Sequence, residues 1–171
     1  MTASSTLVIA WGNPGRRDDG LGAAFAAAVD ALGLPCLAVE SGYQLQIEDA
    51  PRLAAFDRVW FIDADRCGDA PFRVRRVEPE AGGIGFTSHG LSPGRLLALA
   101  RDLFGGAPEA WLMGIRGYDF DEFGEGLSPQ AQSNLADAVA FARDAFAADG
   151  GERYAAPARP VVYPAAQAVR G

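Results

Sequence analysis

The hydrophobic pattern of the chain switches between short continuous apolar runs and longer stretches in which apolar residues return every three or four positions. A continuous run of strand length suits a strand buried on both faces, and the 3.6-residue period marks a helix with one face on a core. Residues 7–11, LVIAW, form the first run and stop at Gly12 and Asn13. From Leu21 the period is helical through Phe25, Ala28, Val29 and Leu32, which places Asp18 or Asp19 where a helix N-cap belongs.

Residues 36–39 form a short apolar segment, read as a second strand ending at Glu40, and 44–56 reads as a helix broken or kinked around Pro51. RVWFID, residues 58–63, is the clearest strand after the first and delivers Asp63 at its C-terminal end, with Asp65 expected to open the next loop. Residues 72–77 alternate apolar side chains with arginine, as in a half-exposed edge strand. Ser92 and Pro93 make a helix start, Leu96, Leu97, Ala100, Leu103 and Phe104 its apolar stripe, and Gly105 its stop.

A further strand covers 111–116, and the acidic stretch 117–126, GYDFDEFGEG, reads as a solvated turn without chemistry. Ser128 and Pro129 repeat the helix start, and Ala131, Leu135, Val139, Ala142 and Phe146 carry a last helix to Asp149. The pattern reads as one compact α/β domain over 1–149. Residues 150–171, with three prolines and no period, read as a flexible or loosely docked tail.

Composition narrows the chemistry. At 171 residues and 49% hydrophobic the chain has ample material for one core. A formal net charge of -7 argues against nucleic acid or an anionic membrane as partner. All 15 basic residues are arginine, so Schiff-base chemistry, a lysine general base and a phosphate-loop lysine are excluded. No apolar run approaches the roughly 20 residues that span a bilayer, and the opening MTASS lacks the basic region of a leader, so a cytoplasmic location is expected. Cys36 and Cys67 have no metal-binding spacing and are expected to be buried free thiols.

The candidate chemistry centres on 6–22, TLVIAWGNPGRRDDGLG. Its glycines do not spell GxGxxG, and its adjacent carboxylates would repel a pyrophosphate but welcome a cation. One aspartate can cap while the other projects over the sheet edge where ligands of open α/β sheets bind, and Asp63 would reach the same edge. His89, the only histidine, stands among Thr87, Ser88 and Gly90. It is either a hydrogen-bonded structural side chain or a ligand, and its small polar neighbours favour a ligand or catalytic position.

Asp19, Asp63 and His89 together offer two oxygens and one imidazole, a set that suits a first-row divalent metal and leaves positions open for water or substrate. A Ser-His-Asp arrangement on Ser88 is poorer, since no GxSxG elbow is present.

At this point the sequence resembles the maturation endopeptidases of nickel-iron hydrogenases. The resemblance covers roughly residues 6–148 and rests on Gly12-Asn13 followed by Asp18-Asp19-Gly20-Leu21-Gly22, on Asp63-Ala64 at a strand end, on His89 before a leucine-rich helix, and on FGEGLSP at 123–129. It implies a three-layer α/β/α sandwich with a largely parallel sheet; as a small α/β domain the protein is expected to be a monomer. It implies that Asp19, Asp63 and His89 contact nickel presented by the substrate rather than kept as a permanent cofactor. The implied reaction removes a C-terminal peptide from the hydrogenase large subunit precursor after nickel insertion.

A chaperone that senses nickel and binds the large subunit without cutting it would use the same ligands. Two positions depart from the family's pattern. Ala10 stands where a glycine is usual, and Arg16 and Arg17 stand where apolar residues are usual, beside the site and available to an acidic feature of the substrate. YQLQIEDA at 43–50, with FTSH and IRGY, is most similar to the branch serving cytoplasmic NAD-reducing hydrogenases.

Overall fold

A computed structural model describes residues 4–81 and 90–147. Five strands form one sheet: β1 Thr6–Trp11, β2 Leu37–Gly42, β3 Arg58–Asp65, β4 Phe72–Val77 and β5 Glu109–Arg116. Their spatial order is β2-β1-β3-β5-β4. The pairs β1·β2, β1·β3 and β3·β5 are parallel, and β4 closes one edge antiparallel to β5. The arginine-bearing strand is thus at an edge, as its alternation predicts. Arg73 pairs there with Asp69 at 3.2 Å.

Alternation along the strands feeds two cores. Val8, Ala10, Trp60, Ile62, Trp111, Met113 and Ile115 face helices α1 Leu21–Asp30 and α4 Pro129–Ala147. Leu7, Ile9, Val59, Phe61, Ala110 and Leu112 face α2 Ala50–Ala54 and α3 Pro93–Phe104. Two helices therefore cover each face of a mostly parallel sheet, a three-layer α/β/α sandwich. On the first face Trp60 stacks on Trp111 with ring centroids 5.3 Å apart.

Helix α3 begins and ends as its sequence dictates. Ser92 Oγ accepts the Arg95 amide hydrogen at 3.2 Å, Pro93 takes the first turn, and Gly105 closes the helix at φ 71. Ser92→Ala is expected to cost about 1 kcal/mol, measured as a lower urea midpoint with unchanged slope.

Four expectations need correction. Neither Asp18 nor Asp19 caps α1: a 3₁₀ turn, Arg17–Gly20, intervenes, and Gly20 occupies the cap with no side-chain hydrogen bond. Asp65 ends β3, paired in register with Arg116, rather than opening a loop. The segment 44–56 is broken, but just before Pro51 and not by it: a 3₁₀ turn, Ile47–Asp49, precedes α2, and Pro51 sits in the first turn of α2, where its missing amide costs nothing. Cys36 and Cys67 are exposed, not buried. The predicted tail, 150–171, lies outside the described residues, as do the last two residues expected of α4. No helix among the described residues is long and apolar enough to cross a membrane.

Candidate active site at the carboxyl edge of the sheet

The chain leaves β1 toward β2 on one side and returns to β3 on the other. Loops that diverge from neighbouring parallel strands open a crevice at their carboxyl ends, the usual ligand position in such sheets. Asp19 follows β1 and Asp63 lies near the end of β3, so the two carboxylates flank that crevice.

The β1 loop is fixed by short-range contacts. Asp19 is half-buried, and its Oδ2 accepts the Asn13 amide hydrogen at 2.8 Å, while Asn13 Oδ1 accepts that of Gly15 at 2.9 Å. Gly12 has φ 138, and a Cβ there would lie 2.0 Å from the Asp19 carbonyl oxygen. A Cβ on Gly22 would lie 2.3 Å from that of Trp11. These glycines allow the loop and the first turn of α1 to fold back against the strand end.

Asp63 is half-buried on the α2/α3 side of the sheet, the side of Trp11. Burial of its carboxyl in protein is the main force pushing its pKa up. The Ala64 amide, donating at 2.8 Å, opposes that push, the charges of Asp19 and Asp65 add to it, and the Trp11 indole opposes it. The net result is a carboxyl pushed up to about 7. A group with that value gains and loses its proton near neutral pH, as general acid–base chemistry requires.

Asp65, two residues on along β3, is buried; its Oδ1 accepts from the Cys67 and Gly68 amides at 3.0 and 2.8 Å. Its Oδ2 finds no hydrogen-bond partner among the described residues. Asp65 therefore builds the turn after β3 and adds negative potential to Asp63.

Asp18 does something the sequence did not suggest. It is fully buried, and its carboxylate accepts hydrogen bonds from the amides of Tyr118, Asp119 and Ser128 and from the Ser128 hydroxyl, all between 2.7 and 2.9 Å. Burial pushes its pKa up, but the hydrogen bonds from Asp119, Ser128 and Tyr118 outweigh it and hold the carboxyl below its ordinary value. The acidic segment after β5 is thus docked on the β1 loop. Its Asp121, Glu122 and Glu125 are exposed, while Phe120 is buried.

Arg16 and Arg17 complete this docking. Arg17 N donates to Gly124 O, Gly124 N to Gly15 O, and the Arg17 guanidinium to Glu125 O at 2.8 Å. Arg16 reaches Phe120 O at 3.3 Å and lies over the Phe123 ring. Both guanidinium groups thus contact the chain's own loop.

Asp19 and Asp63 are thus brought to one edge, whereas His89 lies outside the described residues. Two carboxylates flanking the crevice provide oxygen donors for a divalent cation. No group of three or more His, Cys, Asp or Glu side chains that could hold a metal ion occurs among the described residues.

The site is thus a pair of carboxylates at the carboxyl-edge crevice of an α/β/α sandwich. No family model matches the chain, and no curated protein matches it in sequence. Solved structures do match in fold. The NiFe hydrogenase maturation protease HycI from Thermococcus kodakarensis is 19% identical, with TM-score 0.65 over 83% of this chain and 92% of that one. The hydrogenase 2 maturation peptidase from a Thaumarchaeota archaeon is 20% identical, with TM-score 0.61 over 82% and 97%. The hydrogenase maturating endopeptidase HybD from E. coli is 21% identical, with TM-score 0.61 over 82% and 93%. The fold is that of the hydrogenase maturation proteases.

Proposed function

We propose that the protein is an endopeptidase that removes a C-terminal peptide from the nickel-loaded large subunit precursor of a nickel-iron hydrogenase. The observation that carries this reading is the placement of Asp19 and Asp63 on either side of the crevice in that fold. The motif resemblance at 12–22, 63–64 and 123–129 supports it independently of the fold.

Hydrolysis needs water to attack the scissile carbonyl and a proton to reach the leaving amine. Asp63 is the group suited to move that proton. Asp19, held by the Asn13 amide, keeps its other oxygen for the substrate. The nickel carried by the substrate would meet these oxygens and polarise the carbonyl or the water. His89 is assigned to the same nickel by the resemblance.

The test is mass spectrometry of the large subunit precursor of a cytoplasmic NAD-reducing hydrogenase, incubated with the protein with and without nickel loading. Loss of a short C-terminal peptide from the loaded form alone is expected. An intact mass in both cases, with binding retained, would replace this reading with the non-cleaving chaperone.

A further inference from the structure

Trp11 is the last residue of β1, and the sheet register sets it beside one of the two carboxylates. Ala10 pairs with Ile62 on the parallel strand β3, so the next positions on the two strands, Trp11 and Asp63, stand side by side. Side chains alternate along a strand, so Trp11 shares the α2/α3 face with Ile9, and Asp63 shares it with Phe61.

The backbone of Trp11 is held from both sides. It pairs in register with Gly42 of β2, the Gly12 amide that follows it donates to Gly42 O at 3.1 Å, and Gly22 in the first turn of α1 packs on the Trp11 carbonyl. The ring is fixed as well, meeting Phe61 edge to face with centroids 6.3 Å apart and planes at 71°. From that position the indole N–H is a hydrogen-bond donor to the Asp63 carboxyl. An indole donates and does not accept, so it can hold a carboxylate but cannot exchange a proton with it in turn.

Asp63 has use for such a partner. The Ala64 amide engages Oδ1 at 2.8 Å, but it comes from the next residue of the same strand and sets no distance to the β1 loop. The Asp19 charge is near enough to act on the Asp63 carboxyl, so the two groups repel when both are ionised. Asp19 is itself tied to the end of β1: its Oδ2 accepts from Asn13, and its carboxyl carbon lies 3.9 Å from where a Cβ on Gly12 would stand. Trp11 therefore reaches Asp19 through the backbone that follows it and Asp63 through its side chain.

We propose that Trp11 is a positioning residue whose indole N–H directs the Asp63 carboxyl and fixes its separation from Asp19, so that both acids meet the substrate in one geometry. Its effect on rate rests on the endopeptidase reading; the hydrogen bond does not.

Packing against Phe61 and donation to Asp63 are separated by Trp11→Phe, which keeps a ring and loses the N–H. The chain has three tryptophans, so the indole region of a ¹H–¹⁵N spectrum holds three signals, and the one lost in Trp11→Phe is that of Trp11. In Asp63→Ala that signal is expected to move upfield and its proton to exchange faster with solvent, while those of Trp60 and Trp111 stay in place. Asp63→Asn, which keeps a weaker acceptor, should give a smaller move in the same direction and serves where Asp63→Ala does not fold. In precursor cleavage Trp11→Phe is expected to lower kcat about tenfold, the worth of one hydrogen bond, with precursor Kd within twofold of wild type. Trp11→Leu, which loses ring and donor together, should lower kcat no further.

A Trp11 signal unmoved in both Asp63 variants would show that the ring only packs, and would overturn the positioning role. Wild-type kcat in Trp11→Phe, or a loss confined to Kd, would overturn it too and leave the endopeptidase reading standing. A wild-type protein that binds loaded precursor and leaves it intact would overturn the endopeptidase reading, and the indole spectrum alone would then decide whether Trp11 holds Asp63.

Discussion

Asp63→Asn is expected to reduce precursor processing by about 10³-fold or more while making the folded protein more stable at pH 8. Burial pushes the Asp63 carboxyl up to about 7 in the folded chain, against an ordinary value of 3.8. Between these values the native state retains a proton that the unfolded state has released. The native state then binds more protons, so stability falls as pH rises from about 4 to about 7 and is level above that. At 1.36 kcal/mol per pH unit the whole interval would amount to about 4 kcal/mol. Asparagine keeps an acceptor for the Ala64 amide and carries no charge to bury. A gain on the order of 2 kcal/mol at pH 8, shrinking toward pH 4, is therefore expected in urea denaturation. A variant that loses activity without gaining stability at high pH would show that Asp63 is already comfortably ionised in the folded protein.

The second large effect is expected at Asp18. Asp18→Ala would leave three amides and one hydroxyl without their acceptor in a buried position. A buried hydrogen-bond network broken in this way costs about 3–5 kcal/mol. Its pH dependence has the opposite sign to that of Asp63. The Asp18 carboxyl is held below its ordinary value, so its contribution is present above about 3.8. It is lost as acid protonates the folded form. Denaturation at pH 7 should show the full difference between wild type and variant, and denaturation near pH 2 a much smaller one. Equal destabilisation at both pH values would mean that lost packing, not the carboxylate, accounts for the effect.

Asp18 also shows where reading the sequence stops. A carboxylate between a glycine loop and a helical pattern has a local explanation, the helix cap, and nothing nearby argues against it. Its true partners, Tyr118, Asp119 and Ser128, lie 100 to 110 positions away and use backbone amides, which leave no mark on residue type. The acidic segment 117–126 hid its role for the same reason. Its exposed carboxylates suggest a solvated turn, and the atoms that dock it belong to the main chain.

Local patterns were much more legible. Continuous apolar runs located β1, β3 and β5, alternation with arginine located the β4 edge, and Ser92, Pro93 and Gly105 bounded α3 within a residue. Asp65 was misplaced because an acidic residue after a strand usually begins a loop. Here β5 runs long enough for Arg116 to pair with it. Asp19 and Asp63 could be placed at one edge from the sequence because a parallel sheet puts every strand's carboxyl end on the same side. The acid–base character of Asp63 could not, since it depends on the mass of protein around the carboxyl and on the charges of Asp19 and Asp65.

The docking of 117–128 onto 13–18 has a consequence for how the molecule comes into being. Contacts between segments a hundred residues apart close only after the intervening chain has collapsed, because loop-closure entropy must be met before such contacts stabilise anything. The β1 loop carrying Asp19 receives its Asp18 and Arg17 contacts only once β5 and the start of α4 are in place. An emerging N-terminal half thus holds its acidic pair on an unbraced loop. The carboxyl edge that carries Asp19 and Asp63 is therefore braced only in the finished domain, once the segment after β5 has docked.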